Sequence, residues 1–289
     1  MPMREDFCAF ILTHGRPDAV HTYTTLQRAG YTGKVYIVID DEDETEAQYR
    51  AKFGDKVLQF CKADVAARVD DGDNSGSRIS TTYVRAALFD LAKRVGCEYF
   101  IQLDDDYREF KFRFDGKGDY RYRQFHKTCD DVFGSLVDFL NATTAKTIAM
   151  AQGGDFIGGG GRLRLARKAM NSFVCSTDRL WVCLGRMNED VNAYVVGGRR
   201  GDLFFTTTQV QLDQLQTQTN NGGMAGLYLE SGTYVKTFYT IMYAPSCVKI
   251  ATLSDPRSRQ TRIHHKINWH HTAPKILREE CRKPREATP

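Results

Sequence analysis

The chain has 289 residues, of which 42% are hydrophobic and 26% charged, and its formal net charge is +4. This length can bury a substantial core, and the composition is that of a folded globular protein, which excludes a disordered or fibrous chain. The amino terminus lacks the apolar segment of a signal peptide, and no stretch reaches the ~18 apolar residues that a membrane span needs. We therefore expect a cytoplasmic protein.

Four short apolar runs in the first third of the chain predict β-strands: Phe7 to Leu12, Lys34 to Ile39, Val57 to Cys61 and Tyr99 to Leu103. Between them, apolar residues at helical spacing predict helices over Asp18 to Ala29 and Ser80 to Val95, each ended by a glycine. Strands that alternate with helices predict an α/β fold with a mainly parallel sheet flanked by helices. In such sheets ligands bind beyond the carboxyl ends of the strands, where Thr13, Asp40 and Asp104 lie.

The second half of the chain is less regular. Aromatic and basic residues alternate over Tyr107 to Lys127 around an Asp-Gly-Lys-Gly-Asp turn, which predicts a β-hairpin. A helix is predicted over Cys129 to Asn141. The glycine-rich residues 152–161 lack a dinucleotide fingerprint and the Gly-Lys-Ser/Thr of a P-loop. The Gln/Thr-rich residues 209–219 match no motif.

Cysteine spacing and charge distribution reduce the number of function classes that the sequence allows. The eight cysteines include no Cys-x-x-Cys pair, so we expect reduced, mostly buried thiols instead of a zinc knuckle or a disulfide framework. Asp40 to Glu46 is acidic, whereas Arg257 to Arg285 holds nine Lys/Arg against two Glu. A basic segment on a nearly neutral chain predicts a face that meets an anion. A nucleotide diphosphate is sufficient to explain this segment, and a nucleic-acid backbone explains it better.

The sharpest motif is the triplet Asp104-Asp105-Asp106, which directly follows the most apolar predicted strand. Adjacent carboxylates repel one another, and placing them beside a hydrophobic strand is costly unless a cation compensates. Mg²⁺ and Mn²⁺ bind carboxylate oxygens together with substrate phosphates, so Asp104 and Asp106 on one strand face suit that task. A solvated acidic turn is the alternative.

Two further motifs offer chemistry. Arg262 to Lys275 contains four of the seven histidines, and imidazole readily completes a carboxylate site for Mn²⁺, although a solvated basic segment explains the pattern as well. Glu189-Asp190 stands ahead of a predicted helix. Such a pair is either favourable charge in the first helical turn or a general base that deprotonates an acceptor hydroxyl.

The order of these motifs resembles the GT-A glycosyltransferase fold: a strand ending in a Thr-Arg loop, a strand ending in Asp, a strand ending in Asp-x-Asp, then Glu-Asp and a late histidine. More narrowly, FILTHGRP, FIQLDDDY, NEDVNAY and HHKINW…PKIL resemble the TET/JBP-associated glycosyltransferases, which are found largely in phages and are similar to the kinetoplastid base J glucosyltransferase. The resemblance implies metal-dependent, inverting transfer from a nucleotide-sugar, such as a UDP-sugar, to a hydroxymethylated pyrimidine such as 5-hydroxymethylcytosine in DNA. A phage-encoded enzyme would act in the host cytoplasm.

The resemblance also implies roles for individual residues. Asp104 would lie near the ribose and the metal, Asp106 would be the main ligand of Mn²⁺ or Mg²⁺, and His264, or failing that His265, the third ligand. Asp190 would be the catalytic base, with Glu189 beside it. The nucleotide-sugar would be lined by Thr13, Arg16, Asp40, Arg78, Asp104 and Lys266. We expect one domain over residues 1–283, with a nucleotide-sugar-binding half (1–106) and an acceptor half (107–283), ahead of a frayed tail (284–289).

A DNA acceptor requires a cationic surface for several phosphates. The predicted hairpin supplies Arg121 and Arg123, and the following segment supplies Arg162 and Arg164. Alternating aromatic and basic residues are equally typical of an ordinary half-buried hairpin. The remaining alternatives are a glycosyltransferase acting on a protein or small molecule, a DNA-binding module with vestigial carboxylates, and a nucleotidyltransferase. The last is disfavoured because THGRP stands where such enzymes carry a glycine-rich signature with a lysine.

Overall fold

The structure of the chain is a computed structural model that describes residues 2–152, 172–215, 235–255 and 260–282, and the backbone of residues 163 and 164. The strands are β1 (Phe7–Leu12), β2 (Lys34–Asp40), β3 (Val57–Phe60), β4 (Tyr99–Asp104), β5 (Tyr107–Phe114), β6 (Tyr120–Gln124), β7 (Thr147–Gln152), β8 (Leu163–Arg164), β9 (Phe173–Ser176), β10 (Phe204–Gln214), β11 (Val248–Asp255) and β12 (Gln260–Ile267). The helices are α1 (His21–Arg28), α2 (Glu46–Phe53), α3 (Lys62–Ala66), α4 (Thr81–Arg94), α5 (Cys129–Asn141), α6 (Glu189–Arg199), α7 (residues 235–243) and α8 (Trp269–Thr272).

Strands β1 to β10 form one sheet in the order β3-β2-β1-β4-β9-β7-β10-β5-β6, with β8 paired to β10. The first four strands of that order are mutually parallel. Strand β9 runs antiparallel between β4 and β7, so β7 regains the direction of β4, and β10 is parallel to β7. The carboxyl ends of β1, β2, β4, β7 and β10 therefore meet at one edge of the sheet, where α/β proteins bind ligands.

The core lies on both faces of this sheet, because β1 is buried along its whole length. Phe7 and Ile11 pack on one face with Phe133 of α5, and Phe10 packs on the other with Phe89 of α4. Successive strand residues point to opposite faces, so a fully apolar strand is stable only between two helical layers. The predicted α/β fold, with a sheet flanked by helices, is confirmed.

The predicted elements of the first 141 residues are present, with one interruption. A 3₁₀ turn at Pro17–Ala19 precedes α1, because Val20 has non-helical dihedral angles (φ −82°, ψ 66°) between the two. The long strand β10 takes in residues 209–214 of the Gln/Thr-rich segment together with the threonines that precede it, of which Thr206 and Thr208 are fully buried. β-branched residues suit the pleated surface of a buried strand, which explains why a polar segment folds this way.

The carboxyl-terminal segment folds back onto α6. Strands β11 and β12 pair as a separate antiparallel hairpin, and α8 follows directly. Trp269 stacks on Tyr194 of α6 with the ring centroids 5.8 Å apart. All eight cysteines are free, and of these only Cys61 is exposed, as the sequence predicted. None of the helices in the described residues is long and apolar enough to cross a membrane.

Candidate active site

The acidic triplet lies at the centre of the common sheet edge, where β4 ends. Its middle member, Asp105, is fully buried and accepts hydrogen bonds from Thr13 Oγ1 at 2.6 Å and Arg16 Nε at 2.7 Å. Burial raises the pKa of Asp105, and the charge of Arg16 opposes that rise. Asp105 therefore ties the loop after β1 to the end of β4 through its Oδ2, while its Oδ1 is buried without a hydrogen-bond partner among the described residues.

Asp106 is partly buried and is held by Gln214 at the end of β10. Gln214 Nε2 donates to Asp106 Oδ2 at 3.1 Å, while Asp106 Oδ1 is buried without a hydrogen-bond partner among the described residues. Burial, followed by repulsion from Asp104, raises the pKa of Asp106 to about 7. A buried carboxylate oxygen without a donor fits a hard divalent cation, which would supply the missing compensation.

The histidine predicted to complete the metal site lies on β12. The rings of His264 and His265 have centroids 4.3 Å apart and are tilted by 31°, and His265 Nδ1 lies 3.4 Å from Asn188 Nδ2 at the start of α6. Among the described residues, the group of three possible ligand atoms found within 4.8 Å of one another comprises Asp202, Glu280 and Cys281, not the predicted trio. His264 as a ligand remains a prediction.

The end of β2 forms the opposite side of the site from Gln214. Asp40 is 6% exposed and contacts His14 Nδ1 at 2.9 Å and Lys62 Nζ at 3.3 Å. Burial alone would raise the pKa of Asp40, but the hydrogen bond from His14 and the charge of Lys62 outweigh it and lower that pKa. The hydrogen bond to Asp40 raises the pKa of His14. Arg78 reaches the same strand end by an ion pair with Glu42.

Thr13 and Arg16, which were predicted to line the nucleotide, have their side chains engaged within the protein. Thr13 is buried, and its hydroxyl lies 2.8 Å from Tyr49 Oη in addition to its bond to Asp105. Arg16 uses its Nε on Asp105, and its backbone N–H donates to Tyr49. Lys266 on β12 is exposed. Thr13 and Arg16 thus shape the loop after β1, and a nucleotide would meet their backbone and the remaining Arg16 nitrogens.

The Glu-Asp pair opens α6, as expected, but its two carboxylates have different environments. Glu189 is 6% exposed and accepts hydrogen bonds from Arg85 Nε at 3.0 Å and from Thr81 Oγ1. Asp190 is half-buried, and its Oδ1 accepts from the backbone N–H of Val191 at 2.7 Å. Glu189 is therefore committed to an internal ion pair, which leaves Asp190 as the better candidate for the base.

Asn188 fixes the start of α6 in an unusual conformation. Its φ of 54° places it in the left-handed region, which asparagine tolerates better than most residues. Its side-chain amide donates to the backbone carbonyl of Lys236 at 2.7 Å and to Thr240 Oγ1 at 3.1 Å, both on α7. A strained residue held by several hydrogen bonds beside candidate catalytic groups is typical of a functional site.

A cavity of about 450 Å³ adjoins the triplet on the β10 side. It is lined by Arg108, Glu109, Gln152, Asp213 and Gln214. Gln152 Nε2 donates to Gln214 Oε1 at 3.3 Å, and Gln214 in turn bonds Asp106, so the cavity wall is continuous with the candidate metal site. The polar lining suits a hydroxyl-bearing molecule better than an apolar one.

The predicted DNA-binding hairpin is β5 and β6, and β6 forms an edge of the sheet. Arg121, Tyr122 and Arg123 are exposed on β6. Aromatic and basic side chains do not divide cleanly between the two faces of this hairpin, because Arg113 on β5 is fully buried with its Nη2 3.2 Å from Tyr120 Oη. Arg162 and the side chain of Arg164 lie outside the described residues, as does most of the glycine-rich loop.

Several residues at this site were not singled out by sequence motifs: His14, Tyr49, Lys62, Arg85 and Asp105. His14 and Asp105 stand inside motifs that drew notice for their neighbours. Arg85 gave no signal, because a single arginine in an amphipathic helix is indistinguishable from a surface residue.

The α/β architecture, with an acidic site at its sheet edge, is in this chain that of a glycosyltransferase, because the family whose model matches the sequence is one of glycosyltransferases. More particularly, the chain belongs to the TET-associated glycosyltransferase family, whose model matches residues 7–223. Among solved structures, the chain is similar to glucosyl-3-phosphoglycerate synthase from Mycobacterium tuberculosis in complex with Mn²⁺, UDP and phosphoglyceric acid, with 8% sequence identity and a TM-score of 0.44 over 91% of this chain and 87% of that one. No curated protein matches the sequence significantly.

Proposed function

We propose that this glycosyltransferase moves a sugar from a nucleotide-sugar, a UDP-sugar, to the hydroxyl of a hydroxymethylated pyrimidine in DNA, with inversion and with Mn²⁺ or Mg²⁺. The observation that carries the proposal is the position of the acidic triplet on the sheet edge. The buried Asp40 group lies on one side of it, and the cavity beside Gln152 and Gln214 lies on the other. A donor nucleotide over β1 and β2 would therefore place its sugar at the triplet, facing an acceptor over β7 and β10.

Different residues act on the donor and on the acceptor. A divalent ion held by Asp104 and Asp106 would supply positive charge to the leaving diphosphate. The carboxylate of Asp190, at the first turn of α6, takes the proton from the attacking hydroxyl. Asp105, bonded to Thr13 and Arg16, keeps the loop after β1 in register with the end of β4.

The support for a DNA acceptor comes from membership of the family and from the exposed edge strand. The family model matches residues 7–223, which include three of the four motifs that led us to expect a DNA substrate; the histidine motif lies beyond the matched residues. Strand β6 carries Arg121 and Arg123 with the half-exposed Tyr122 between them. Arginines on an exposed edge suit phosphate contacts, which position a duplex without reading its sequence. A base must also leave the stack before its hydroxymethyl group can reach Asp190.

Product analysis tests this proposal. The purified protein is incubated with Mn²⁺, a panel of nucleotide-sugars, and DNA of one sequence in hydroxymethylated and unmodified forms. The DNA is then digested to nucleosides and analysed by mass. We expect a hexosylated pyrimidine nucleoside only from the hydroxymethylated DNA. Sugar transfer to an added protein or small molecule, with none to DNA, would refute the DNA acceptor and keep the glycosyltransferase activity.

A further inference from the structure

A single buried arginine connects the two motifs that the proposed reaction needs. Arg85 on α4 is 2% exposed on its side chain. Its Nη2 donates to Asp104 Oδ1 at 2.9 Å, its Nε to Glu189 Oε1 at 3.0 Å, and its Nη1 to Gln102 Oε1 at 3.1 Å. All three nitrogens of the guanidinium are therefore used, on β4 and on the first residue of α6.

The charges in this cluster explain why it persists in the interior. Burial disfavours the charged form of Arg85, but Asp104 and Glu189 outweigh that effect and raise its pKa. Burial and the proximity of Asp190 raise the pKa of Glu189, and the charge of Arg85 opposes them. A buried charge is tolerated only when partners in good geometry compensate it, so each of these groups depends on the others.

The hydrogen bonds of Arg85 join the acidic triplet to the start of α6, where the candidate base lies. Asp104 is the first residue of the acidic triplet, and Glu189 directly precedes Asp190 in the chain. Helix α6 and strand β4 lie far apart in sequence, and among the described residues Arg85 has direct hydrogen bonds to carboxylates of both. A planar guanidinium holds two carboxylates in a fixed relation, which the single ammonium of a lysine cannot do.

We propose that Arg85 is a positioning residue that, through Asp104 and Glu189, sets the separation between the donor-side carboxylates and the base Asp190. This inference rests on the proposed function, because it assigns Asp190 to the acceptor hydroxyl. It also assigns Glu189 as the counter-ion of Arg85, not as a base. The distance between the acidic triplet and Asp190 is then set by the protein itself, before the donor or the acceptor binds.

Two variants separate this role from simple stability. Arg85→Lys keeps the charge but cannot bridge both carboxylates, and Glu189→Gln keeps the shape of the counter-ion while removing its charge. Transfer to hydroxymethylated DNA and hydrolysis of the donor without DNA are measured for each, with KM and kcat determined at a temperature well below the lowest Tm. Asp190→Asn reports the loss of the base itself. Arg94→Lys, an exposed position at the end of α4 whose Nη2 donates to the carbonyl of Gln59, is the matched control.

A misplacement of about 1 Å can cost ~100-fold in rate. We therefore expect Arg85→Lys to lower kcat for transfer about 100-fold, with a change in donor KM of less than about 3-fold. Glu189→Gln should lower transfer by at least about 10-fold more than it lowers donor hydrolysis, because its effect falls on the acceptor side. Asp190→Asn should abolish transfer, and Arg94→Lys should match the wild type.

Two results would overturn the inference. One is wild-type kcat for transfer in folded Arg85→Lys and Glu189→Gln, which would make the cluster structural only. The other is an active Asp190→Asn beside an inactive Glu189→Gln, which would make Glu189 the base. Absence of transfer by the wild type would instead refute the proposed function, so the two failures are distinguishable.

Discussion

Replacement of Asp106 by asparagine should abolish sugar transfer and yet stabilise the metal-free protein. Burial and repulsion from Asp104 raise the pKa of Asp106 from 3.8 to about 7. At about 1.36 kcal/mol for each pKa unit, the ionised carboxylate destabilises the metal-free fold by at most about 4 kcal/mol. Asparagine carries no charge, and Gln214 remains able to bond its side-chain oxygen. Allowing about 2 kcal/mol for imperfect packing of the amide, we expect a net gain of about 2 kcal/mol above pH 7, which raises Tm by about 3 °C in a chain of 289 residues.

The sign of the pH dependence follows from the raised pKa. Below the unfolded pKa of 3.8 the carboxyl group is protonated in both states, so its destabilising effect is absent. The effect grows as the pH rises towards 7 and is complete above that value. The electrostatic gain from Asp106→Asn should be about 4 kcal/mol at pH 8 and about 2 kcal/mol at pH 5. After the same packing cost of about 2 kcal/mol at both pH values, the net stabilisation should be about 2 kcal/mol at pH 8 and close to zero at pH 5.

Thermal unfolding at pH 5 and pH 8, with and without Mn²⁺, measures these differences. Mn²⁺ should raise the Tm of the wild type and leave that of Asp106→Asn nearly unchanged. Asp90→Asn, which removes one exposed partner of the Arg68 ion pair, is a control that should change stability by less than about 1 kcal/mol. The reasoning is wrong if Asp106→Asn is less stable than the wild type at pH 8 without metal, or if Mn²⁺ stabilises both equally.

Three further predictions concern the rest of the site. His264→Ala should weaken the Mn²⁺ dependence of transfer far more than His271→Ala, and equal small effects in metal titrations would show that the segment is only a basic surface. The affinity for DNA should fall with salt, with a slope of log affinity against log salt of roughly −3.5 to −4.5 if about five phosphates are neutralised. The double variant Arg121→Ala/Arg123→Ala should flatten this slope by about 1–2. An unchanged slope in the double variant would show that the hairpin does not contact DNA phosphates. The ion pair between His14 and Asp40 should stabilise the fold fully below pH ~6.5, and this stabilisation should be lost as the pH rises through the raised pKa of His14. His14→Gln should remove it, so the difference in Tm between the variant and the wild type should shrink as the pH rises. A difference in Tm that does not change with pH would contradict the ion pair.

The sequence was most informative where one local pattern decides the structure. The apolar run that becomes β4 passes directly into the acidic triplet, and the alternation of strands and helices fixes which ends share an edge. The strand order depends on pairing between strands that lie far apart in the sequence. The same pairing places the triplet between Asp40 and Gln214. Gln214 in particular lay in a segment without a motif, and its contact with Asp106 arises only when β10 pairs beside β5.

Arg85 shows a different limit of sequence reasoning. Its position in α4 fits an amphipathic helix, and helical spacing cannot tell an arginine that faces solvent from one that crosses the core. Its burial is favourable only because Asp104 and Glu189 arrive from two other elements. Likewise, the family resemblance implied that Thr13 and Arg16 line the nucleotide, but no local pattern indicated that their side chains also bond Asp105, because that contact depends on the tertiary structure.

The most direct test of the central claim is the dependence of nucleotide release on the acceptor. Release of UDP from a UDP-sugar by the wild-type protein with Mn²⁺ is followed in the presence of hydroxymethylated DNA and of unmodified DNA of the same sequence. We expect hydroxymethylated DNA to accelerate release by at least about 10-fold, because Asp190 acts only when a hydroxyl is present to attack. Equal release with both DNAs, with the sugar recovered only as the free hydrolysed product, would contradict transfer to a hydroxymethylated base.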